Sequence, residues 1–186
     1  MAAKNDKTRD ADRTRQAILD AAQHIFAEKG FTQTTVREIT DRAGVNQSLV
    51  SRYFGGKLKL FEAALEHALN VRIVTDLRRE NFGTQIVANF VLPPTDRVNP
   101  LPILLGAVAD SEAKVIALGL LHDRIFLSFR DWFGSDEAEV RAARFMIVST
   151  GFFTYRDQLP LPPFLGAVEP GLRRWLEAEF QALVDR

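Results

Sequence analysis

The side chains best suited to chemistry in this 186-residue sequence are amides, hydroxyls and guanidinium groups gathered between residues 35 and 57. Gln47 can bridge the N6 and N7 atoms of adenine, and Ser48 can bond to base edges with less discrimination. Asn46 can contact a base or cap a helix. Arg37 and Arg52 can reach guanine or a phosphate, and Arg37 alone could also be a solvated surface residue. These residue types predict a surface that reads double-stranded DNA.

A second group of side chains in the same stretch suits the DNA backbone. The hydroxyls of Thr35 and Tyr53 and the ammonium group of Lys57 are predicted to bond to phosphate oxygens. The ring of Tyr53 could also close a hydrophobic core while its hydroxyl stays free at the tip. Phosphate contacts of this kind supply affinity without sequence preference, so they would complement the base-reading residues.

Catalysis and metal binding find little support in the residue types. The chain has no cysteine, which excludes thiol chemistry and cysteine metal sites. The three histidines His24, His67 and His122 lie far apart in the sequence and do not show the spacing of metal ligands. Paired carboxylates, a phosphate loop and a nucleophile beside its base are also missing, so we expect neither an enzyme nor a cofactor.

The N-terminus lacks the apolar core of a secretory signal, and no apolar run reaches about 18 residues. We therefore expect a cytoplasmic protein without a membrane partner.

Four short helices are predicted to position the polar groups. The apolar spacing predicts a first helix that stops at Gly30, and the capping-box spacing of Thr35 and Glu38 opens the second. Gly44 permits the left-handed backbone of a tight turn, after which the first residues of the third helix can enter a major groove. The helices are predicted at 13–29, 35–42, 46–53 and from Lys57 onward.

The rest of the chain also favours helices, which gives an all-α fold of about nine helices. Residues 1–60 carry 11 basic against 7 acidic side chains and the remainder carries 13 against 17, so the basic end is the N-terminus. All eight prolines lie beyond residue 92, where they interrupt helices. An apolar stripe from Val115 to Phe133 is expected to face a core. These helices are predicted at 82–92, 101–109, 111–133, 136–157 and 170–185.

A set of residues between about positions 13 and 65 follows a characteristic order: Arg15 to Ala22, Phe26, Gly30-Phe31, Thr34 to Ile39, Ala43-Gly44-Val45, Tyr53-Phe54, Lys57 and Leu60-Phe61. In this order they resemble the DNA-binding domain of TetR/AcrR-type transcriptional regulators. The resemblance implies a three-helix domain with a helix-turn-helix at 13–56. The basic residues Lys4, Lys7, Arg9 and Arg13 predict a flexible arm at 1–12 that either follows the DNA backbone or enters an adjacent minor groove. The resemblance also implies a helical domain at 57–186 that dimerises and binds a small effector, whose arrival commonly releases such proteins from DNA.

Three features, at four positions, depart from the pattern of that family. Thr40 stands where a small residue is common, Ser51-Arg52 where Tyr-His is common, and Leu58 where an acid is common. The first two departures predict an altered base preference. Leu58 leaves the fourth helix without an acid in its first turn, which leaves the exact start of that helix open.

Aromatic residues in the second half of the chain are candidates for an effector site, although rings at helical spacing also build ordinary cores. The candidates are Phe90, His122, Phe126, Phe145 and Phe152. His122 interrupts an apolar stripe, which fits either a hydrogen-bonded core histidine or a polar anchor for an effector.

The helix predicted over 136–157 is apolar on nearly every side, which favours a subunit interface because a chain of this size has few layers to bury both faces. Gly151 would allow two helices to approach closely, and the last helix would complete a four-helix contact. The predicted interface comprises Phe145, Val148, Gly151, Phe152, Trp175 and Phe180. The alternative is burial under the segment 160–170 within one subunit.

The sequence therefore predicts a repressor that binds a pseudo-palindromic operator as a homodimer and is released by a small apolar or aromatic effector. Its predicted partners are double-stranded DNA, a second copy of the chain and that effector. The alternative is a DNA-bound regulator or activator without a small-molecule effector.

Overall fold

The computed structural model describes residues 2–92, 98–134 and 137–185, with the side chains of residues 2–8 and of Ile73 outside the description. Helices dominate these ranges and no strand occurs in them, in agreement with the all-helical prediction. The α-helices are α1 Ala2–Gln33, α2 Val36–Ala43, α3 Ser48–Phe54, α4 Lys57–Ala68, α5 Arg72–Thr75, α6 Phe82–Val91, α7 Pro100–Ala107, α8 Ser111–Leu120, α9 Leu127–Phe133, α10 Ala138–Phe153 and α11 Pro170–Gln181. The π-helical stretches Leu121–Phe126 and Thr154–Gln158 follow α8 and α10, and 3₁₀ turns occupy Arg79–Asn81 and Pro162–Phe164.

The chain divides into two compact units: unit 1 is Met1–Leu69 with Val98–Leu120, and unit 2 is Asn70–Arg97 with Leu121–Arg186. The division predicted at residue 56 placed α4, α7 and α8 in the second domain, whereas these helices pack in unit 1. Their buried faces explain this membership, because Leu60 and Phe61 on α4, Ile103 and Ala107 on α7, and Ala113 on α8 are fully buried there. Packing of distant segments, and not chain order, defines the units.

Three phenylalanine rings form the centre of unit 1. Phe26 and Phe31 on α1 stack with centroids 6.1 Å apart, and the Phe61 ring of α4 meets both edge to face at 5.3 and 5.2 Å. Offset and edge-to-face arrangements at these separations are the favourable geometries for aromatic pairs. The cluster therefore fixes the end of α1 against α4.

A close backbone contact between α1 and α7 needs two glycines. Gly30 leaves helical geometry with φ at 71° and ψ at 177°, which kinks α1 three residues before it ends. A Cβ atom on Gly106 of α7 would lie 2.5 Å from the Gly30 Cα atom, so a side chain there has no room. The predicted stop at Gly30 therefore appears as a kink, beyond which Phe31 continues the helix.

Helix α1 begins at Ala2, well before the predicted start at residue 13. The segment 2–12, which was predicted to be a flexible arm, is helical in the structure. Arg9 lies exposed on this segment and Arg13 lies exposed directly after it, while the side chains of Lys4 and Lys7 fall outside the described residues. The local charge pattern gave no apolar face by which a helix could be recognised here.

Aromatic rings also form the centre of unit 2. The buried Phe145 ring of α10 lies 6.4 Å from Phe90, 4.6 Å from Phe129 and 5.3 Å from Phe180, measured between centroids. Helices α6 and α11 approach closely at Gly83, whose N–H donates to the Gln181 side-chain oxygen at 3.0 Å. Rings from α6, α9, α10 and α11 thus share one core.

Helix α10 buries one face and exposes the other. Of the predicted interface residues, Phe145 and Phe152 are buried in the core of unit 2, as is Phe180 of α11, so their rings offer no surface to a partner. Val148 and Gly151 are half-buried and the Trp175 side chain is 51% exposed. The opposite face of α10 instead exposes Val140, Arg144 and Ile147, which the prediction omitted.

The predicted apolar stripe of the helix over 111–133 is confirmed only in its second part. Residues 111–133 are helical throughout, and Phe129 and Phe133 are buried in unit 2. In α8, however, Val115 is 70% exposed, while the small residues Ala113 and Ala117 face the core of unit 1. The stripe prediction fails there because alanines let α8 pack closely against α4.

Within the described ranges, no helix combines the length and apolarity that crossing a membrane requires.

Candidate functional site

A reciprocal capping box fixes the N-terminus of α2. The Thr35 hydroxyl accepts from the Glu38 N–H at 3.3 Å and donates to Glu38 Oε2 at 2.9 Å, and the Thr35 N–H donates to the same oxygen at 2.9 Å. Lys29 of α1 forms an ion pair with the other carboxylate oxygen of Glu38. The hydrogen bond from Lys29, followed by those from Thr35, lowers the pKa of Glu38 to about 2. The hydroxyl predicted to meet a phosphate is thus a member of the box.

The turn between α2 and α3 has the geometry that the sequence predicted. Gly44 adopts the left-handed conformation with φ 67° and ψ 34°, and the next residue, Val45, donates to the Thr40 carbonyl at 3.0 Å. The Thr40 side chain is fully buried, and its hydroxyl lies 3.0 Å from two carbonyl oxygens of the preceding turn of α2. Because Thr40 faces the core, this departure from the family pattern does not place a side chain at a base.

The N-terminus of α3 presents the predicted base-reading residues to solvent. Asn46, Gln47, Ser48 and Arg52 are exposed, whereas Val50 is buried on the opposite face. Asn46 Oδ1 accepts from the Ser48 N–H at 2.9 Å, so Asn46 caps the turn that starts the helix. The helix itself begins at Ser48, so the exposed Gln47 is its N-cap residue.

Cationic and hydroxyl groups surround this exposed surface of α3. The Arg52 guanidinium lies 5.9 Å from the ring centroid of Tyr53, which is itself half-buried. Arg37 is exposed on α2 and pairs with Asp41 at 3.6 Å, one turn further along that helix. An exposed pair of this kind is weak, so the Arg37 side chain can exchange Asp41 for another anion.

Lys57, a predicted phosphate contact, opens α4 and is half-buried. Its ammonium nitrogen lies 4.2 Å from the ring centroid of Phe31. Burial lowers the pKa of Lys57, and attraction from Asp110 and then Glu38 opposes that shift. The ammonium group thus lies between an aromatic ring face and two acidic side chains of unit 1.

Two residues near this surface were missed by sequence reasoning. The Arg15 guanidinium of α1 lies 5.1 Å from the ring centroid of Phe54, at the end of α3. Lys29 compensates the charge of Glu38, nine residues along the chain. Arg15 could have been found from the basic residues at the start of the first predicted helix, whereas no local pattern links Lys29 to Glu38.

The predicted effector residues lie in unit 2. Phe90, Phe145 and Phe152 are buried in its core, and Phe126 is half-buried against it. His122 is exposed, stacks on Phe126 with ring centroids 5.9 Å apart, and lies 2.7 Å from the Asp123 carboxylate through Nδ1. The structure thus brings the first four together and places His122 at their edge, not inside a core.

Two family models match the chain. The model described as bacterial regulatory proteins of the tetR family matches residues 18–64, and a tetracyclin repressor-like C-terminal domain matches residues 80–184, which is more than half of the chain. The chain belongs to the TetR family of bacterial regulatory proteins. Membership confirms the predicted all-α regulator and the choice of a regulator over an enzyme.

Curated HTH-type transcriptional regulators resemble part of the chain. The transcriptional repressor NicS of Pseudomonas putida is 43% identical over 61 residues, which cover 33% of this chain and 29% of that protein. The transcriptional regulator SrpR of the same species is 35% identical over 81 residues, which cover 42% of this chain and 38% of that protein. These alignments thus span well under half of either relative.

Solved structures of bacterial regulators resemble nearly the whole chain. A TetR-family regulator from Streptomyces coelicolor A3 has a TM-score of 0.55 and 25% identity, covering 93% of this chain and 95% of that one. A transcriptional regulator from Rhodococcus sp. Rha1 has a TM-score of 0.59 and 19% identity, covering 91% of this chain and 93% of that one. The second likeness bears on the fold alone.

Proposed function

We propose that this TetR-family protein is a transcriptional repressor that reads a DNA operator with α3. The observation that carries the proposal is the exposed N-terminal end of α3, where Gln47 and Ser48 follow a turn fixed by Gly44 and Asn46. An amide and a hydroxyl at this end of a recognition helix can bond to base edges in the major groove. The name of the relative NicS supports repression. As a regulator of transcription, the protein would act in the bacterial cytoplasm.

A homodimer would place two copies of α3 on one face of the duplex. The exposed stripe Val140, Arg144 and Ile147 recurs at helical spacing on α10. The half-buried Gly151 continues the same spacing, and a Cβ atom there would meet open space. The Arg144 side chain reaches Glu179 of α11 at 3.8 Å, near the exposed Trp175 on that helix. A two-fold axis through this face would form a four-helix contact. The operator would then be pseudo-palindromic, with half-sites about 34 Å apart or a multiple of that distance.

The proposed division of roles between bases and phosphates can be tested with Gln47→Ala and Lys57→Met. We expect Lys57→Met to weaken binding to a selected operator and to random duplexes by the same factor, and to reduce the salt slope by about 1. Gln47→Ala should cost about 1–3 kcal/mol on the operator and little on random DNA. Fluorescence anisotropy titrations at several salt concentrations measure both quantities.

Lys59→Met is the matched control, because Lys59 is exposed on the same helix and pairs with Glu62 at 2.6 Å. It should leave both affinities within about twofold of the wild-type values, as expected for a surface ion pair. Equal losses on operator and random DNA for Gln47→Ala would contradict the assignment of base reading to α3.

Effector control is the second part of the proposal. The cluster of Phe90, Phe126, Phe145 and Phe152 offers apolar surroundings that suit an aromatic ligand. Among the candidates, His122 and Phe126 keep exposed surface, so a ligand would enter beside their stacked rings. A ligand that prefers one conformation of the protein would shift the population that binds the operator. Without such a ligand the protein would be a DNA-bound regulator only.

A panel of apolar aromatic compounds tests this control by thermal shift and operator titration. We expect compounds that raise the melting temperature to lower operator affinity by about 5- to 150-fold, the range of ordinary allosteric coupling. Phe126→Ala should remove both responses, whereas Tyr155→Ala, at another exposed ring of unit 2, should keep them. Compounds that stabilise the protein and leave operator affinity unchanged would refute the coupling.

A further inference from the structure

Lys57 needs a support if it is to meet a phosphate at a fixed place. A lysine side chain has a flexible four-carbon stem, and its ammonium group is a compact point charge without a preferred direction of binding. In this structure the ammonium nitrogen lies over the face of Phe31, 4.2 Å from the ring centroid. A cation at this distance is attracted by the negative face of the ring. The ring therefore limits where the ammonium group can go.

Phe31 is itself held in place from several directions. The ring is buried, meets Phe61 edge to face at 5.2 Å and stacks on Phe26 at 6.1 Å. Its backbone follows the kink at Gly30, where the Gly106 backbone of α7 leaves no space for a side chain. The ring is thus packed between its own helix and α4, next to the contact of Gly30 with α7.

Acidic groups also act on Lys57. Asp110, which caps α8 by accepting from the Ala113 N–H at 2.9 Å, attracts the ammonium group, and so does Glu38. Glu38 is already compensated by its ion pair with Lys29. Burial lowers the pKa of Lys57 and this attraction opposes that shift, while the ring face limits the position of the ammonium group.

We propose that Phe31 is a positioning residue for DNA binding: its ring face holds the Lys57 ammonium where a backbone phosphate reaches it. This inference rests on the proposed contact between Lys57 and DNA. Phe31 does not touch DNA and acts through Lys57 alone. Its loss should therefore weaken phosphate binding only while Lys57 is present.

The test is a double-mutant cycle on a duplex selected from a random pool with the wild-type protein. We expect Phe31→Leu to weaken binding about threefold to tenfold, the range of one cation–π contact, and Phe31→Tyr to restore wild-type affinity. In a Lys57→Met background, Phe31→Leu should have no further effect. Phe26→Leu is the matched control, because it alters the same ring cluster without touching Lys57 and should leave affinity within about twofold.

A second measurement needs no DNA. The Lys57 Hε protons should show an upfield ring-current shift in the NMR spectra of the wild type and Phe31→Tyr, and lose it in Phe31→Leu. Wild-type affinity in Phe31→Leu, an equal loss in the Lys57→Met background, or full affinity of Lys57→Met would each overturn the positioning role. A wild-type protein that binds no duplex would instead overturn the proposed function, and the NMR shift would still report whether the ring holds the ammonium group.

Discussion

Ile147→Arg is expected to make the protein monomeric and to lower its affinity for the selected operator by about 100-fold or more. The Ile147 side chain is 71% exposed at the middle of the α10 stripe. In a two-fold dimer, two guanidinium groups would face each other across the axis, and like charges buried in an interface cost several kcal/mol. A monomer holds one half-site at a time and loses the gain of linked binding. Light scattering with size exclusion gives the mass, and anisotropy gives the affinity.

Val115→Arg is the matched control for this substitution. Val115 is a similarly exposed apolar residue, on α8 in unit 1, and gains the same charge. It should leave the protein dimeric. A dimer that persists with unchanged affinity in Ile147→Arg would refute the α10 interface, whereas monomers in both variants would show that the added charge acts by another route.

Gly83→Ala is expected to destabilise the protein by about 3 kcal/mol, at the upper end of overpacking effects. Gly83 is buried where α6 meets α11, and a Cβ atom there would collide with the Glu177 carbonyl oxygen and lie 2.9 Å from the Gln181 nitrogen. Both are backbone atoms, so a rotamer change cannot relieve the collision. The helices must separate and lose the hydrogen bond from Gly83 to the Gln181 side chain. Urea unfolding followed by circular dichroism measures the loss.

Gly119→Ala provides the opposite expectation for the same chemical change. Gly119 is exposed on α8, and a Cβ atom there meets no atom within 4 Å. Alanine should therefore stabilise this helix by about 0.5–1 kcal/mol through its higher helix propensity. If the two variants unfold at the same urea concentration, that result would contradict the close packing of α6 against α11 at Gly83.

Local signals predicted the helix-turn-helix well. The capping box of Thr35 and Glu38 and the left-handed Gly44 depend on residues within a few positions of each other, and both occur as the sequence indicated. Short-range hydrogen bonds and backbone preferences suffice to define these features. The start of α4, which the sequence left open, lies at Lys57, directly after two glycines with positive φ.

Long-range packing could not be predicted in the same way. The contact between Gly30 and Gly106 joins segments far apart in the chain, and no spacing rule reveals it. It explains why α7 belongs to unit 1. On α10, hydrophobicity alone could not tell the buried Phe145 from the exposed Ile147, because both suit an apolar face. Only the position of neighbouring helices separates core from candidate interface.

Selection of bound duplexes from a random pool, with the mass of the complex measured on the selected sequence, tests the proposed reader most directly. We predict a pseudo-palindrome bound by two chains, with half-site centres about 10 base pairs or a multiple of that apart and an affinity that falls steeply with salt. Asymmetric or unrelated sequences in the selected pool, or no binding at low ionic strength, would contradict a paired recognition helix built on Gln47 and Ser48.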